Sequence, residues 1–394
     1  MHAQQIIQKF LADQCSAMHA KRRRCLADAV EAARSGGLAM MGMSKALESE
    51  VSLRYRIKRI DRLLSNAHLA KERVSIFKAL AHHLLPHQER IAVIVDWSDL
   101  LPDVSQHLLR AAVVVEGRAI TIYEELHPTK SYGSRQVHHR FLETLRTVLP
   151  PHRSPVIITD AGFRGTWFQM LGELGYDWIG RIRNLDTVRA EGTTKWQPCK
   201  ELYPHATKVP RDLGRFEHTQ SRLVKCRLTL VKKSPQGRKK LTVFGNDAGS
   251  HHSNKQRKGQ SEPWLLSVSP GLSKLRAKQI VALYSCRMQI EQTFRDLKSP
   301  RWGMGIRHSQ TRQPKRLAAL LLIGTLLSFA LWIIGIVAQS RGYRMRYGSK
   351  PKSAKTVSIV SLARQWLADV RYRRLTHSQL REAMQELASL VLVY

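Results

Sequence analysis

The rhythm of apolar and polar positions changes several times along this chain. Up to about residue 80, apolar side chains recur every three or four positions, the helical period. "KRRRCLADAVEAARSGG" predicts a helix stopped by Gly36 and Gly37, and "SKALESE" starts another behind a Ser44 cap. In "VSLRYRIKRIDRLLSN" the stripe Leu53, Ile57, Ile60 and Leu64 turns inward, while Arg54, Arg56, Lys58, Arg59 and Arg62 crowd the remaining surface. Three basic helices of this kind fit a compact DNA-binding module.

Beyond Pro86 β-branched runs take over. "RIAVIVDWSDL" predicts a strand ending at Asp96, and "LRAAVVVEG" with "RAITIYEEL" an antiparallel hairpin turning at Gly117–Arg118. A helix from about Val137 to Val148 follows, closed by Pro150–Pro151. Then come a strand in "SPVIITDAGF" ending at Asp160, a helix near Trp167 to Leu174, and a strand in "DWIGRIR". A meander followed by strand–helix alternation makes an α/β sheet layered with helices. Open sheets of that class gather active sites at strand C-termini, where Asp96 and Asp160 fall.

From about 185 to 262 helical periodicity disappears, and short strand-like pieces ("SRLVKCRLTLVKK", "KKLTVFG") alternate with polar turns, the pattern of an all-β insertion. "EPWLLSVS" is the strand by which the chain returns. "YSCRMQIEQTFRDLK", starting at Tyr284, then predicts one helix. On it Tyr284, Arg287, Glu291, Arg295 and Lys298 share a face within roughly 80°, beside an apolar stripe of Leu283, Ile290, Phe294 and Leu297. Further on, Ala318 to Ala338 is a run of 21 residues without a charge. Its length is that of a membrane span. Basic residues on both flanks give little orientation signal, and the run reads as the central helix of a soluble core.

Charge narrows the partner. Among 394 residues, 65 Lys plus Arg face 30 Asp plus Glu, a net +35 spread over the whole length. Such an excess calls for a polyanion, with nucleic acid first and an anionic membrane surface second. The 5 cysteines are widely spaced and never in a C-x-x-C pair, which argues against a disulfide framework or zinc knuckle and fits a reducing cytoplasm. The pairs His82/His83, His138/His139 and His251/His252 read as surface or phosphate-contacting groups, because adjacent side chains point apart.

Asp96, Asp160 and Glu291 together could hold two hard divalent cations, since Mg²⁺ takes one or two carboxylates plus phosphate oxygens. Such a pair activates water and stabilises the leaving oxygen in phosphodiester cleavage. Taken singly, strand-end Asp residues are ordinary turn formers, and the Glu291 face is an ordinary solvated one with pairs such as Glu291–Arg295.

The spacing of Tyr284, Arg287, Glu291 and Lys298 resembles the Y-R-E-K motif of bacterial insertion-sequence transposases of the IS-four type. "VIVDWSD" and "VIITDAGFRG" are similar to that family's blocks around its first two catalytic aspartates. "SLRYRIKRIDRLLSN" and "RMQIEQTFRDLKSPRWGMGIRHSQTR" resemble it too, and all these blocks stand in family order.

The resemblance implies a ribonuclease-H-like mixed-sheet core interrupted by an all-β insertion, between helical terminal domains. The expected boundaries are 1–85 for the DNA-binding helices, 86–184 and 263–310 for the two parts of the core, 185–262 for the insertion and 311–394 for the C-terminal helices. Asp96, Asp160 and Glu291 become the metal ligands for two Mg²⁺ ions, with Mn²⁺ as a substitute. Tyr284, Arg287 and Lys298, with Arg295, hold the terminal phosphate. Trp264 is matched to a residue that stacks on a flipped base, or is otherwise a core Trp. Arg54, Lys58 and Arg62 supply N-terminal DNA contacts.

The implied activity is cut-and-paste transposition of double-stranded DNA by a synaptic homodimer in the bacterial cytoplasm, with hairpin formation, strand transfer and no membrane role. The alternatives are a nuclease of the same fold without strand transfer, a catalytically idle DNA-binding inhibitor and, more distantly, a basic membrane-associated protein.

Overall fold

Each predicted element can be followed through the computed structural model, which describes residues 2–85, 90–151, 154–183, 186–233, 262–301, 303–347, 357–369, 372 and 374–394. The described chain divides into two units, one of Met1–Arg153 with Met288–Tyr394 and one of Ser154–Arg287.

The first unit opens with five helices: α1 (Ala3–Gln14), α2 (Ala20–Gly36), α3 (Met40–Ala46), α4 (Leu53–Leu64) and α5 (Ala67–Leu84). As expected, α2 stops at the glycine pair. Ser44 does not cap a helix. It is buried inside α3, its hydroxyl donating to the Met40 carbonyl at 2.7 Å, because the apolar Met40–Met43 stretch extends the helix upstream. On α4, Ile60, Leu63 and Leu64 are buried, while Leu53 and Ile57 are half-buried.

Three antiparallel strands follow in the spatial order β3-β2-β1: β1 (Arg90–Asp99), β2 (Gln106–Val114) and β3 (Ala119–Pro128). The β2–β3 hairpin turns at Gly117, whose φ of 73° is open to glycine at no steric cost. Ser134 caps α6 (Arg135–Val148) by accepting from Val137 N–H at 3.2 Å. The histidine pairs of α5 and α6 do point apart, but only one member of each faces solvent. His138 is buried and accepts from Trp97 Nε1 at 3.1 Å, and His83 is half-buried against Phe10 and Phe329. Within these two pairs the surface reading therefore holds for His82 and His139 and fails for His83 and His138.

The second unit comprises β4 (Ser154–Thr159), α7 (Gly165–Glu173), β5 (Asp177–Ile182), β6 (Thr187–Ala190), β7 (Gln197–Pro198), β8 (Arg211–His218), β9 (Val224–Val231), β10 (Trp264–Val268) and α8 (Ala277–Ser285). Its strands run in the order β4-β5-β10-β9-β8-β6-β7. Among the described strands of this unit only β4 and β5 pair in parallel, so the sheet is mixed. The returning strand β10 lies between β5 and β9, joining the β-rich stretch to the strand–helix part in one sheet. The expected strand "KKLTVFG" and the His251/His252 pair lie outside the described residues.

The chain then re-enters the first unit through α9 (Met288–Lys298), α10 (Pro314–Ser340), α11 (Tyr343–Tyr347), α12 (Ile359–Ala368) and α13 (His377–Ser389). Helix α10 contains the uncharged run and is long and apolar enough to cross a membrane, yet 94% of its most apolar 18-residue window is buried within this unit. It packs on α1, α2, α5, β3, α12 and α13. A helix covered on every side can be apolar all round, which explains the missing polar face.

Candidate active site

In the first unit the site begins on β1. Asp96 is buried, with its Oδ1 accepting from Trp97 N–H at 2.8 Å. The strand does not end there. It continues to Asp99 because β2 keeps pairing with it, Asp96 opposite Arg110 and Asp99 opposite His107. Alternation places Asp96 and Ser98 on the same side of the strand. The Ser98 hydroxyl accepts from Lys298 Nζ of α9 at 2.6 Å, and the same ammonium lies 5.6 Å from the Phe294 ring centroid. Burial pulls the Lys298 ammonium down to about 8, reinforced by Arg307 and opposed by Asp99. Glu291 sits half-buried in the first turn of α9, which packs on β1 and β3.

The single helix expected over 284–298 is two helices. Helix α8 ends at Ser285, where Cys286 and Arg287 N–H groups bond the Leu283 and Tyr284 carbonyls in a tightened turn, and the ladder restarts at Met288. The five residues of the expected face are therefore carried on two elements. Glu291, Arg295 and Lys298 remain together on α9, with Arg295 exposed, whereas Tyr284 and Arg287 belong to the second unit. The apolar stripe of Ile290, Phe294 and Leu297 is buried as expected.

In the second unit Tyr284 is buried on α8, its ring edge-on to Trp264 at 5.0 Å and 75°. Trp264 is half-buried at the start of β10, with Lys233 Nζ 5.2 Å from its ring centroid. Asp160 stands just past the end of β4, its Oδ1 accepting from Gly162 N–H at 2.8 Å. A Cβ at Gly162 would approach that oxygen to 3.0 Å, so glycine lets the backbone close onto the carboxylate.

On α4 the basic residues divide by role. Arg56 is spent on the Lys45 and Leu47 carbonyls and Arg59 on Asp28, while Arg54, Lys58 and Arg62 stand exposed at successive i, i+4 positions. If this ladder meets DNA, changing all three to Ala lowers the log–log salt slope of binding by about 2.7, at about 0.9 per phosphate contact. Filter-binding titrations across salt check this, and an unchanged slope assigns recognition elsewhere.

Three residues around the site escaped the sequence reading: Ser98, Arg110 and Glu124. Arg110 interrupts an otherwise apolar run from Leu108 to Val114 on β2, and Glu124 is a fully buried charge on β3. A charge in such a run has to find a buried partner, and that signal was present in the sequence.

Among the described residues, no three or more His, Cys, Asp or Glu side chains are gathered into a metal-holding group. Asp96 and Glu291 belong to the first unit and Asp160 to the second. As donors the three fit a hard divalent cation. All are carboxylates, with no thiolate or imidazole among them, and the Asp160 carboxylate is oriented by its backbone turn.

A strongly basic mixed α/β chain carrying carboxylates on a strand, after a strand and on a packed helix is compatible with chemistry on nucleic-acid phosphodiesters. A family model for the transposase DDE domain matches residues 87–329, more than half of the chain, and the protein belongs to that family. It is therefore a DDE transposase, an enzyme of DNA recombination that binds DNA and depends on a divalent metal. The comparison with curated proteins gives no match.

Proposed function

We propose that the protein excises and inserts an insertion sequence by a cut-and-paste route of the IS-four type, with Asp96, Asp160 and Glu291 as the acids that hold two Mg²⁺ or Mn²⁺ ions. When bound, the ions supply the Lewis acidity that activates the attacking oxygen and stabilises the departing one. The chain's own work is to hold the DNA. Lys298, steadied by Ser98, neutralises a phosphate oxygen beside Asp96, and Tyr284, Arg287 and Arg295 complete the grip on the terminal phosphate. Trp264 stacks on a base drawn out of the duplex while the strand bends into a hairpin. Arg54, Lys58 and Arg62 anchor the transposon end, and two copies acting on each other's ends in the cytoplasm bring the two ends together.

The observation that carries this reading is the placing of Lys298 Nζ on Ser98, two residues beyond Asp96 on the same side of β1, with Glu291 on the same helix as the lysine. An ammonium desolvated beside a candidate metal carboxylate supports a phosphate-binding role.

The test is incubation of the full-length protein and Mg²⁺ with a plasmid carrying its coding element in native flanking DNA. Water adds across one P–O bond to free a 3′ hydroxyl. That hydroxyl attacks the opposite strand, closing a hairpin on the element and releasing the flank, and a second water reopens the hairpin for joining to target. Denaturing gels should show an excised element whose strands are covalently joined at the ends, followed by insertion products. Cleavage without joined strands or insertions would favour a simple nuclease, and binding without cleavage an idle inhibitor.

A further inference from the structure

Helix α9 is fixed by more than its apolar stripe. Arg110 on β2 is 3% exposed and Glu124 on β3 0%, and the two form an ion pair at 2.7 Å. The guanidinium continues outward, donating from Nη1 to Thr293 Oγ1 at 3.2 Å and lying 5.0 Å from the Phe294 ring centroid. The other Glu124 oxygen accepts from Thr325 Oγ1 of α10 at 3.0 Å. Two further ties lie on the same flank of α9. Gln289 Oε1 accepts from Val115 N–H at 3.3 Å, and Asp296 pairs with Arg118 at 2.8 Å.

Residues 289, 293 and 296 follow the i, i+4, i+7 spacing and so line one flank of the helix. At 100° per residue, Glu291 and Lys298 lie roughly 180° around from that flank. Lys298 is tied there to Ser98, so the helix is pinned on opposite sides. Apolar burial is non-directional and leaves the roll of a helix about its axis soft. Beside the ion pair lies a cavity of about 30 Å³, lined in part by Arg110, Thr293 and Thr325, so apolar packing is incomplete on this flank. Directional bonds there are suited to set the roll. A buried ion pair adds little net stability over an apolar pair of the same volume, but it specifies geometry.

We propose that the Arg110–Glu124 pair, acting through Thr293, is a positioning device that sets the roll of α9 and with it the direction in which Glu291 presents its carboxylate to the metal. This inference rests on the reading of Glu291 as a metal ligand. The test uses the full-length protein and two variants, Arg110→Met with Glu124→Leu, which keeps volume, and Thr293→Val, which removes one hydroxyl. Mn²⁺ binding is read from the electron paramagnetic resonance of free Mn²⁺, alongside melting temperature and DNA binding.

Both variants should melt within a few degrees of the parent and bind DNA equally well. Their Mn²⁺ affinity should fall about 10–100-fold, the usual cost of losing a group that orients a ligand. Nicking should largely recover at saturating Mn²⁺, which a defect in the chemical step would not allow. Unchanged Mn²⁺ affinity in folded variants overturns the proposal, and if the double variant does not fold, Thr293→Val decides alone. Glu291→Gln, run in parallel, separates the two levels. If it too leaves Mn²⁺ binding and cleavage intact, the assignment of Glu291 has failed. If it abolishes them while the tie variants behave as the parent, only the positioning role has failed.

Discussion

Asp96→Asn, Asp160→Asn and Glu291→Gln should each abolish strand cleavage, by a thousandfold or more, and leave DNA binding within a few-fold of the parent. A loss of that size corresponds to about 4 kcal/mol of transition-state stabilisation, the scale expected when a cation that activates water and steadies the leaving oxygen is no longer held. The amides are chosen because they keep the local bonds. Asn at 96 still accepts from Trp97 N–H, and Asn at 160 still accepts from Gly162 N–H, so the strand and the turn survive. Binding is spared because phosphate contacts elsewhere carry the affinity. Gel-shift and cleavage assays on one DNA end give both readings, and any variant that cuts within a few-fold of the parent in Mg²⁺ is not missing a ligand.

If Trp264 stacks on an extruded base as proposed, Trp264→Ala should divide the reaction. On the proposed route the first nick needs no extruded base, whereas closing the hairpin bends the strand sharply across the cut. With base–aromatic stacking worth about 1–3 kcal/mol, hairpin closure should slow by roughly ten- to a hundredfold while nicking continues. An abasic nucleotide at the extruded position lowers the cost of flipping and restores part of the rate. The half-burial of Trp264 and its edge contact with Tyr284 offer a purely structural alternative. Under that alternative nicking and closure fall together, the melting temperature drops, and no abasic rescue occurs. Single-turnover kinetics on nicked and intact ends distinguish the two.

How far the residues announced the fold depended on how many forces agreed at each place. The β1 run and the hairpin at Gly117 were legible because propensity, burial and turn chemistry coincide there. Helix α10 reads as core because basic residues on both flanks give little orientation signal for a membrane span, and in the structure it is buried. The break between α8 and α9 was not legible. Neither Cys286 nor Arg287 is a helix breaker, so nothing in the local residue pattern marks the tightened turn. The β-branched run reads as a strand ending at Asp96, yet pairing with β2 carries the strand on to Asp99. The candidate acids could be picked out by type and position, while the support around them, Ser98 beneath Lys298 and Arg110 beneath Thr293, depends on register across strands and stayed hidden.

The way α10 is covered has a consequence on the ribosome. Its companions α1, α2, α5 and β3 are already synthesised when it emerges, but α12 and α13 are not. For that interval one flank of an uncharged 21-residue run is bare, with the length and composition that the machinery of membrane insertion is built to detect. Correct delivery then depends on a race. The N-terminal helices, which fold first during synthesis, must clasp the nascent segment before a targeting factor or chaperone does.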